Sequence, residues 1–269
     1  MFGWLGRREE PIAIDEGLWE SATAPYLFMR GFSAADDERL RLLAGAFLSG
    51  KQFSGTHDLD ITPLMQVQVA AQASILVLEL GLDWYDGWHE IIVYPGQFAP
   101  EREIVDEAGV VHLVNEPMAG EAWLGGPVIL SYEDVALTSD EDARVAGYNV
   151  VIHEFAHKLD MRNGDPNGCP PLHAGMALSA WRAAFSEAFA DFCRKVDEAE
   201  RSARRDGGRA LDALPIDPYA AENPGEFFAV VSEAFFDTPE WLEPDYPAVY
   251  EQLRLFYRQD PLARLGEGA

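Results

Sequence analysis

Apolar residues recur along much of the chain at helical spacing, and the polar residues around them mark where helices begin and end. Leu40, Leu43, Phe47 and Leu48 follow Ser33-Ala-Ala-Asp36, a serine N-cap with a carboxylate three residues on, and Gly50 can close that helix. Thr62-Pro63 is a second start signal, a threonine cap with proline in the first turn. The segment behind it, Val67 to Leu82, is broken only by scattered polar residues such as Gln68, Gln72 and Glu79, which predicts a core helix running to a stop at Gly81. From Trp84 to Ser131 the period shortens. Glu90 to Tyr94 reads as a strand, Glu103 to Val114 as a hairpin turning around Asp106-Glu-Ala-Gly109, and Gly125 to Ser131 as a short strand entered through a Gly-Pro turn. That last strand is either an ordinary sheet strand or an edge able to hold an extended peptide.

The second half returns to helical spacing. Val150, Val151, Phe155 and Leu159 put an apolar face on a helix over Val150 to Asp160, with Asp140-Glu-Asp142 ahead of it and the turn-rich Asn163 to Gly168 closing it. Trp181, Phe185, Ala188, Phe189, Phe192 and Val196 form a stripe that predicts core packing for a helix over Leu178 to Glu200. Arg201 to Arg209, with Gly207-Gly208, reads as a mobile connection. Asn223-Pro224-Gly225-Glu226 starts a further helix, buried through Phe227, Val230, Val231, Ala234 and Phe235. Trp241 to Asp245 reads as a link, Pro247 to Gln259 as a last amphipathic helix, and the residues before Ser33 as loose.

A chain of 269 residues that is 48% hydrophobic can bury a substantial core. Its 20 Lys and Arg against 46 Asp and Glu leave a net charge of −26, which repels nucleic acid and anionic lipid and suits a basic or zwitterionic partner. No stretch approaches the ~18 uninterrupted apolar residues of a membrane span. Two cysteines, Cys169 and Cys193, are too few for a disulfide framework, and the opening residues carry their arginines after a short apolar run, the reverse of a secretory signal. A cytoplasmic location is the expectation.

Chemistry concentrates in His153-Glu-Phe-Ala-His157. Residues four apart share a helix face, so His153 and His157 can offer two imidazoles to one Zn²⁺, with Glu154 beside the metal as a base. A catalytic zinc keeps three protein ligands and one open position. In the H-E-x-x-H-x-x-G-x-x-H pattern the third is a histidine at 163; Asp160 and Asn163 stand where that pattern needs Gly and His, so it does not apply. His57, His89, His112 and His173 each read more simply as ordinary surface or core histidines. A glutamate from the later helix is the other common choice, and Glu222, Glu226 and Glu233 are placed for it. Glu226 falls where it would complete a capping box on Asn223, and Glu233, seven residues on, shares its face; the residues alone leave both open. Asp160 is a candidate for orienting a ligand imidazole.

The stretches His153 to Asp165 and Asp217 to Phe236, together with Gly126 to Val135 and the ending Phe256-Tyr-Arg-Gln-Asp-Pro-Leu262, resemble the Mlc titration factor A family of zinc-dependent peptidases. The likeness covers most of the chain and departs from the family pattern between Asp165 and Leu214. It implies Glu226 as the third ligand, and Tyr219, in Asp217-Pro-Tyr-Ala-Ala221, as an active-site residue. It also implies a zinc peptidase of aminopeptidase type acting on a peptide or small protein, or alternatively a regulatory protein that sequesters a transcriptional repressor while zinc is structural or gates the contact. The intact Glu154 favours the enzyme, since a structural zinc has no use for a free carboxylate beside it. The expected fold is α+β: a mainly helical zinc-metallopeptidase core with a small mixed sheet and an edge strand next to the active-site helix. Residues 1–269 are expected as one domain, with a helical subregion over 1–83 and a catalytic core over 84–262.

Overall fold

The computed structural model describes residues 10–99, 102–105, 111–114, 117–137, 148–206 and 209–266, with side chains left undescribed in 102–105, 111–114, 204–206, 209 and 212. It is mainly helical with a small mixed sheet, the α+β class that the spacing and the resemblance imply. Helix α1 (Glu16–Thr23) stands in the segment read as loose. Asp15 Oδ1 accepts from Gly17 N and Leu18 N, and Trp19 and Ala22 are buried, so a cap and two anchoring residues suffice for two turns. Helix α2 (Ala34–Gly50) starts on Ser33, whose Oγ accepts from Asp36 N at 3.1 Å. Helix α3 (Pro63–Leu76) starts on Thr62 and is buried almost all round, as a helix lacking a polar face must be. It stops five residues short of Gly81; the chain from Val77 onward closes in tight turns instead.

The main sheet holds β1 (Gln52–Gly55), β2 (Glu90–Tyr94), β5 (Gly120–Ala122) and β6 (Val128–Ser131), in the order β1-β2-β6-β5. The first three in that order run parallel, and β5 is antiparallel to β6 with Gly120 opposite Leu130. The short β6 is buried along its whole length, as parallel strands covered on both faces are. It therefore lies inside the sheet, and the edge next to the later helices is β5, which the periodicity did not predict. A separate pair, β3 (Arg102–Val105) and β4 (Val111–Val114), is antiparallel as expected, while its turn at 106–110 lies outside the described residues, as does Asp140-Glu-Asp142.

Among the described residues, the short α4 (Tyr132–Leu137) is followed by α5 (Val150–Asp160), the helix carrying the histidines. Its Phe155 is wholly buried among Tyr85, Phe47 and Trp88, with ring centroids 5.2, 5.6 and 5.8 Å away. Lys158, on the same helix, is buried under the β5–β6 connection: its Nζ donates to Trp123 O at 2.6 Å and Gly126 O at 2.7 Å and lies 4.5 Å from the Trp88 ring centre. Burial lowers its ammonium to about 8, and the two carbonyls tie the β5–β6 connection to the helix below.

Helix α6 (Leu178–Asp206) runs through much of the segment read as a mobile connection, and α7 (Arg209–Asp212) resumes almost at once. Helix α8 (Pro224–Asp237) starts on Asn223, whose Oδ1 accepts from Gly225 N and Glu226 N. Trp241 to Asp245 belongs to a helix, α9 (Pro239–Asp245), not to a link, and α10 (Pro247–Tyr257) is followed by one more, α11 (Pro261–Gly266). Helices α6, α8 and α10 meet through stacked and edge-on rings, among them Phe235 of α8 stacked on Tyr257 of α10 at 5.5 Å and Trp181 of α6 edge-on to Phe256 of α10 at 5.7 Å. Among the described residues no helix is long and apolar enough to cross a membrane.

Candidate metal centre

Asn149 caps α5 through Oδ1, which accepts from Ile152 N, and its side-chain amide donates to Gln72 Oε1 of α3. That cap sets where the first turn ends, and His153 and His157 follow on the face turned toward α8. Their Nε2 atoms are 3.1 Å apart, and Glu226 Oε2 lies 3.0 Å from the first and 3.1 Å from the second. Glu226 thus does not close a capping box back onto Asn223; its carboxylate turns to the two imidazoles across the helix pair. Donor atoms around one zinc at 2.0–2.1 Å in tetrahedral geometry stand about 3.3 Å apart, so this triangle of two nitrogens and one oxygen fits a single ion. These three are the one group of metal-ligating side chains found among the described residues.

Glu233 is 2% exposed and stands behind the triangle. Its Oε1 is 2.7 Å from His153 Nδ1, and its Oε2 accepts from Asn149 N. A carboxylate on Nδ1 fixes the imidazole so that Nε2 faces the triangle, the arrangement that ligand histidines commonly have. The two glutamates that share a helix face are therefore separated by depth: Glu226 reaches both Nε2 atoms, and Glu233 reaches the far side of one ring. Burial works against a charged His153, but Glu233 and the hydrogen bonds of both glutamates outweigh it and hold the imidazole well above its usual pKa. Burial likewise raises Glu226, and the two histidines more than reverse that, leaving it well below the usual carboxylate range.

Asp160 does not orient an imidazole by a hydrogen bond. Its oxygens accept from the backbone N–H groups of Asn167, Gly168 and Cys169 at 2.7, 2.7 and 3.0 Å, which pins the loop after α5. His157 Nδ1 has no hydrogen-bond partner among the described residues.

Glu154 is 5% exposed and lies against Gly120 of β5. Burial raises its carboxyl to about 7, against the opposing pull of His153 and His157. Tyr219 sits in a 3-10 turn (Pro218–Ala221) held by Asp217 Oδ1, which accepts from Tyr219 N at 2.7 Å. Its ring is 49% exposed, with its centre 6.0 Å from that of His153. All of these face a cleft of about 670 Å³, walled on one side by residues 117–122 and on another by Asp217, Tyr219 and Glu222. Among the described residues, no lysine or arginine lines it. Of the other histidines, His173 Nε2 donates to Phe256 O and its ring stacks on that of Phe256, and His57 and His89 are exposed and away from the cleft; the side chain of His112 lies outside the described residues.

The two groups that sequence reasoning passed over are Asn149 and Tyr148. Asn149 was findable, because an asparagine directly before an apolar helical run is an N-cap signal. Tyr148, half-buried on the cleft wall near Glu233, Glu154 and Asp217, carries no pattern that marks it; burial first, and those carboxylates after it, raise its hydroxyl pKa.

The sequence model of the glucose-regulated metallo-peptidases M90 matches residues 4–258. The chain belongs to that family. Relatives include Mlc titration factor A of Yersinia pestis (strain Pestoides F) and of Yersinia pseudotuberculosis (serotype O:1b, strain IP 31758), each 38% identical over 267 residues, covering 98% of this chain and 93% of the relative. Membership of the M90 family agrees with the resemblance read from the histidine helix and from α8, and with a site able to hold a metal ion.

Proposed function

We propose that this chain is a zinc-dependent peptidase, aminopeptidase-like and cytoplasmic, acting as one catalytic unit in which His153, His157 and Glu226 hold the metal and Glu154 is the general base. The observation that carries this reading is the triangle of two Nε2 atoms and one carboxylate oxygen, 3.0–3.1 Å apart, beside a buried carboxyl whose pKa is about 7. When bound, zinc supplies a water of lowered pKa and polarises a carbonyl. Glu154 takes the proton of the attacking water and returns it to the leaving amine, and a pKa near neutrality suits both halves of that exchange. Tyr219 donates to the oxygen of the substrate carbonyl as negative charge grows there. The edge strand β5 lines the cleft, so an extended peptide can lie alongside it.

A second reading rests on the relatives' name, Mlc titration factor A: this chain binds a transcriptional repressor, and the metal stabilises or gates that surface. The buried Glu154, which lines the same cleft as the triangle, supports the enzyme over this alternative, and the two roles are compatible. The test is Glu154→Gln. The variant is expected to keep its zinc and to lose hydrolysis of aminoacyl and peptide substrates by ~10²–10⁴-fold. Undiminished, chelator-sensitive hydrolysis by the metal-loaded variant would refute the mechanism.

A further inference from the structure

Gly120 is buried in the edge strand β5, opposite Leu130. Glycine in a strand interior costs conformational entropy and contributes no packing. Its backbone is not in the left-handed region that would require glycine, unlike Gly81, Gly87 or Gly125. What residue 120 does is leave a space. A Cβ there would lie 2.7 Å from Glu154 Cγ and 2.8 Å from Cδ, and nearer still to Oε1, where carbon atoms normally approach to about 3.5–4.0 Å. All three of the closest atoms belong to the Glu154 side chain. Two residues along, on the same face, the strand carries Ala122, so the missing side chain is local to position 120.

We propose that Gly120 is a positioning residue: by lacking a side chain it lets the Glu154 carboxyl rest directly on the edge strand, fixing the base at a set depth beneath the strand that holds the peptide. This rests on Glu154 being the base. Strand and base then share one reference surface. A peptide laid along β5 meets a carboxyl whose position is set by the same backbone, and Lys158 ties the turn that follows β5 to the helix bearing the base. Because the Cγ, Cδ and Oε1 of Glu154 all lie against position 120, a methyl there displaces its carboxyl toward the cleft while the three side chains of the metal triangle, on α5 and α8, stay where they are.

The experiment is Gly120→Ala, alone and combined with Glu154→Ala. Zinc content and KM are expected to stay near those of the parent chain while kcat falls by about 100-fold, the scale on which a 1 Å misplacement of a catalytic group acts. Two arms need no activity. The crystal structure of metal-free Gly120→Ala should show the Glu154 carboxyl moved by about 1 Å or more. The thermal midpoint should drop by roughly 2–10 °C in the parent background, as overpacking does, and by much less once Glu154 is already Ala, because the obstructing atoms are gone. A Glu154 carboxyl unmoved in the variant crystal, or an equal drop in both backgrounds, overturns the proposal. Retained activity in Glu154→Gln would instead sink the assignment of the base, while the crystal and melting arms would still decide whether Gly120 places Glu154.

Discussion

Replacing Glu233 and Glu226 separately by Ala should produce opposite patterns of loss. Glu233 accepts from Asn149 N and bonds His153 Nδ1 at 2.7 Å; it is buried together with Asn149, and the His153 side chain is 12% exposed. Glu233→Ala leaves two donors in the interior without acceptors, each costing about 1–3 kcal/mol, or about 2–6 kcal/mol together. The middle of that range corresponds to a fall of roughly 8–16 °C in the midpoint of the metal-free protein. Because the lost carboxylate also oriented His153, metal affinity should weaken by ~10–100-fold. Glu226→Ala removes a more exposed carboxylate whose histidine partners still face the open cleft, so the metal-free midpoint should change less. Metal affinity should fall further than in Glu233→Ala, since a ligand is gone rather than its support. The assays are thermal unfolding of chelator-treated protein and zinc competition against a chromophoric chelator. Weaker metal binding in Glu233→Ala than in Glu226→Ala would reverse the two roles, and an unchanged metal-free midpoint in Glu233→Ala would show that its buried hydrogen bonds do not support the fold.

Tyr219→Phe is expected to lower kcat by ~10²–10³-fold with little change in metal content, the usual cost of one donor to a developing oxyanion; an unchanged kcat would remove Tyr219 from the reaction. A pH series on the metal-free protein tests His153, whose imidazole the two glutamates hold above its usual pKa despite burial. A raised folded-state pKa gives stability that is fully present below about 6.5 and is lost as pH rises through the folded value, so the midpoint should decline above that pH. The same proton competes with metal, so zinc affinity should rise across that window, and pH-independent affinity from about pH 6 upward would contradict this account.

Much of the site was legible because its parts are local. The pair His153 and His157 needs only a helix, and the helix is marked by four apolar residues, Val150, Val151, Phe155 and Leu159. The start of α8 was equally plain, since Asn223-Pro224 is a cap followed by a residue that already has helical φ. The misreadings have local causes as well. Gly207-Gly208 suggested a flexible link, yet α6 continues to Asp206. Trp241 to Asp245 contains Pro244, which argued against a helix, but a proline in so short a segment interrupts few bonds. The strand β5 is three residues long, too short for alternation to be seen.

By itself the sequence determined which side chains could bind a metal and that they lie on helices, because capping and spacing act over a few residues. It could not rank Glu226 against Glu233: seven apart on one helix, they look alike from their own turn of chain. The packing of α8 against α5 separates them, bringing Glu226 to both Nε2 atoms and leaving Glu233 behind His153. The same holds for Gly120, 34 positions ahead of the carboxyl it accommodates. Contacts between residues so far apart arise only when the sheet edge and the helices close around one core, and no periodicity along the chain encodes which atoms then meet.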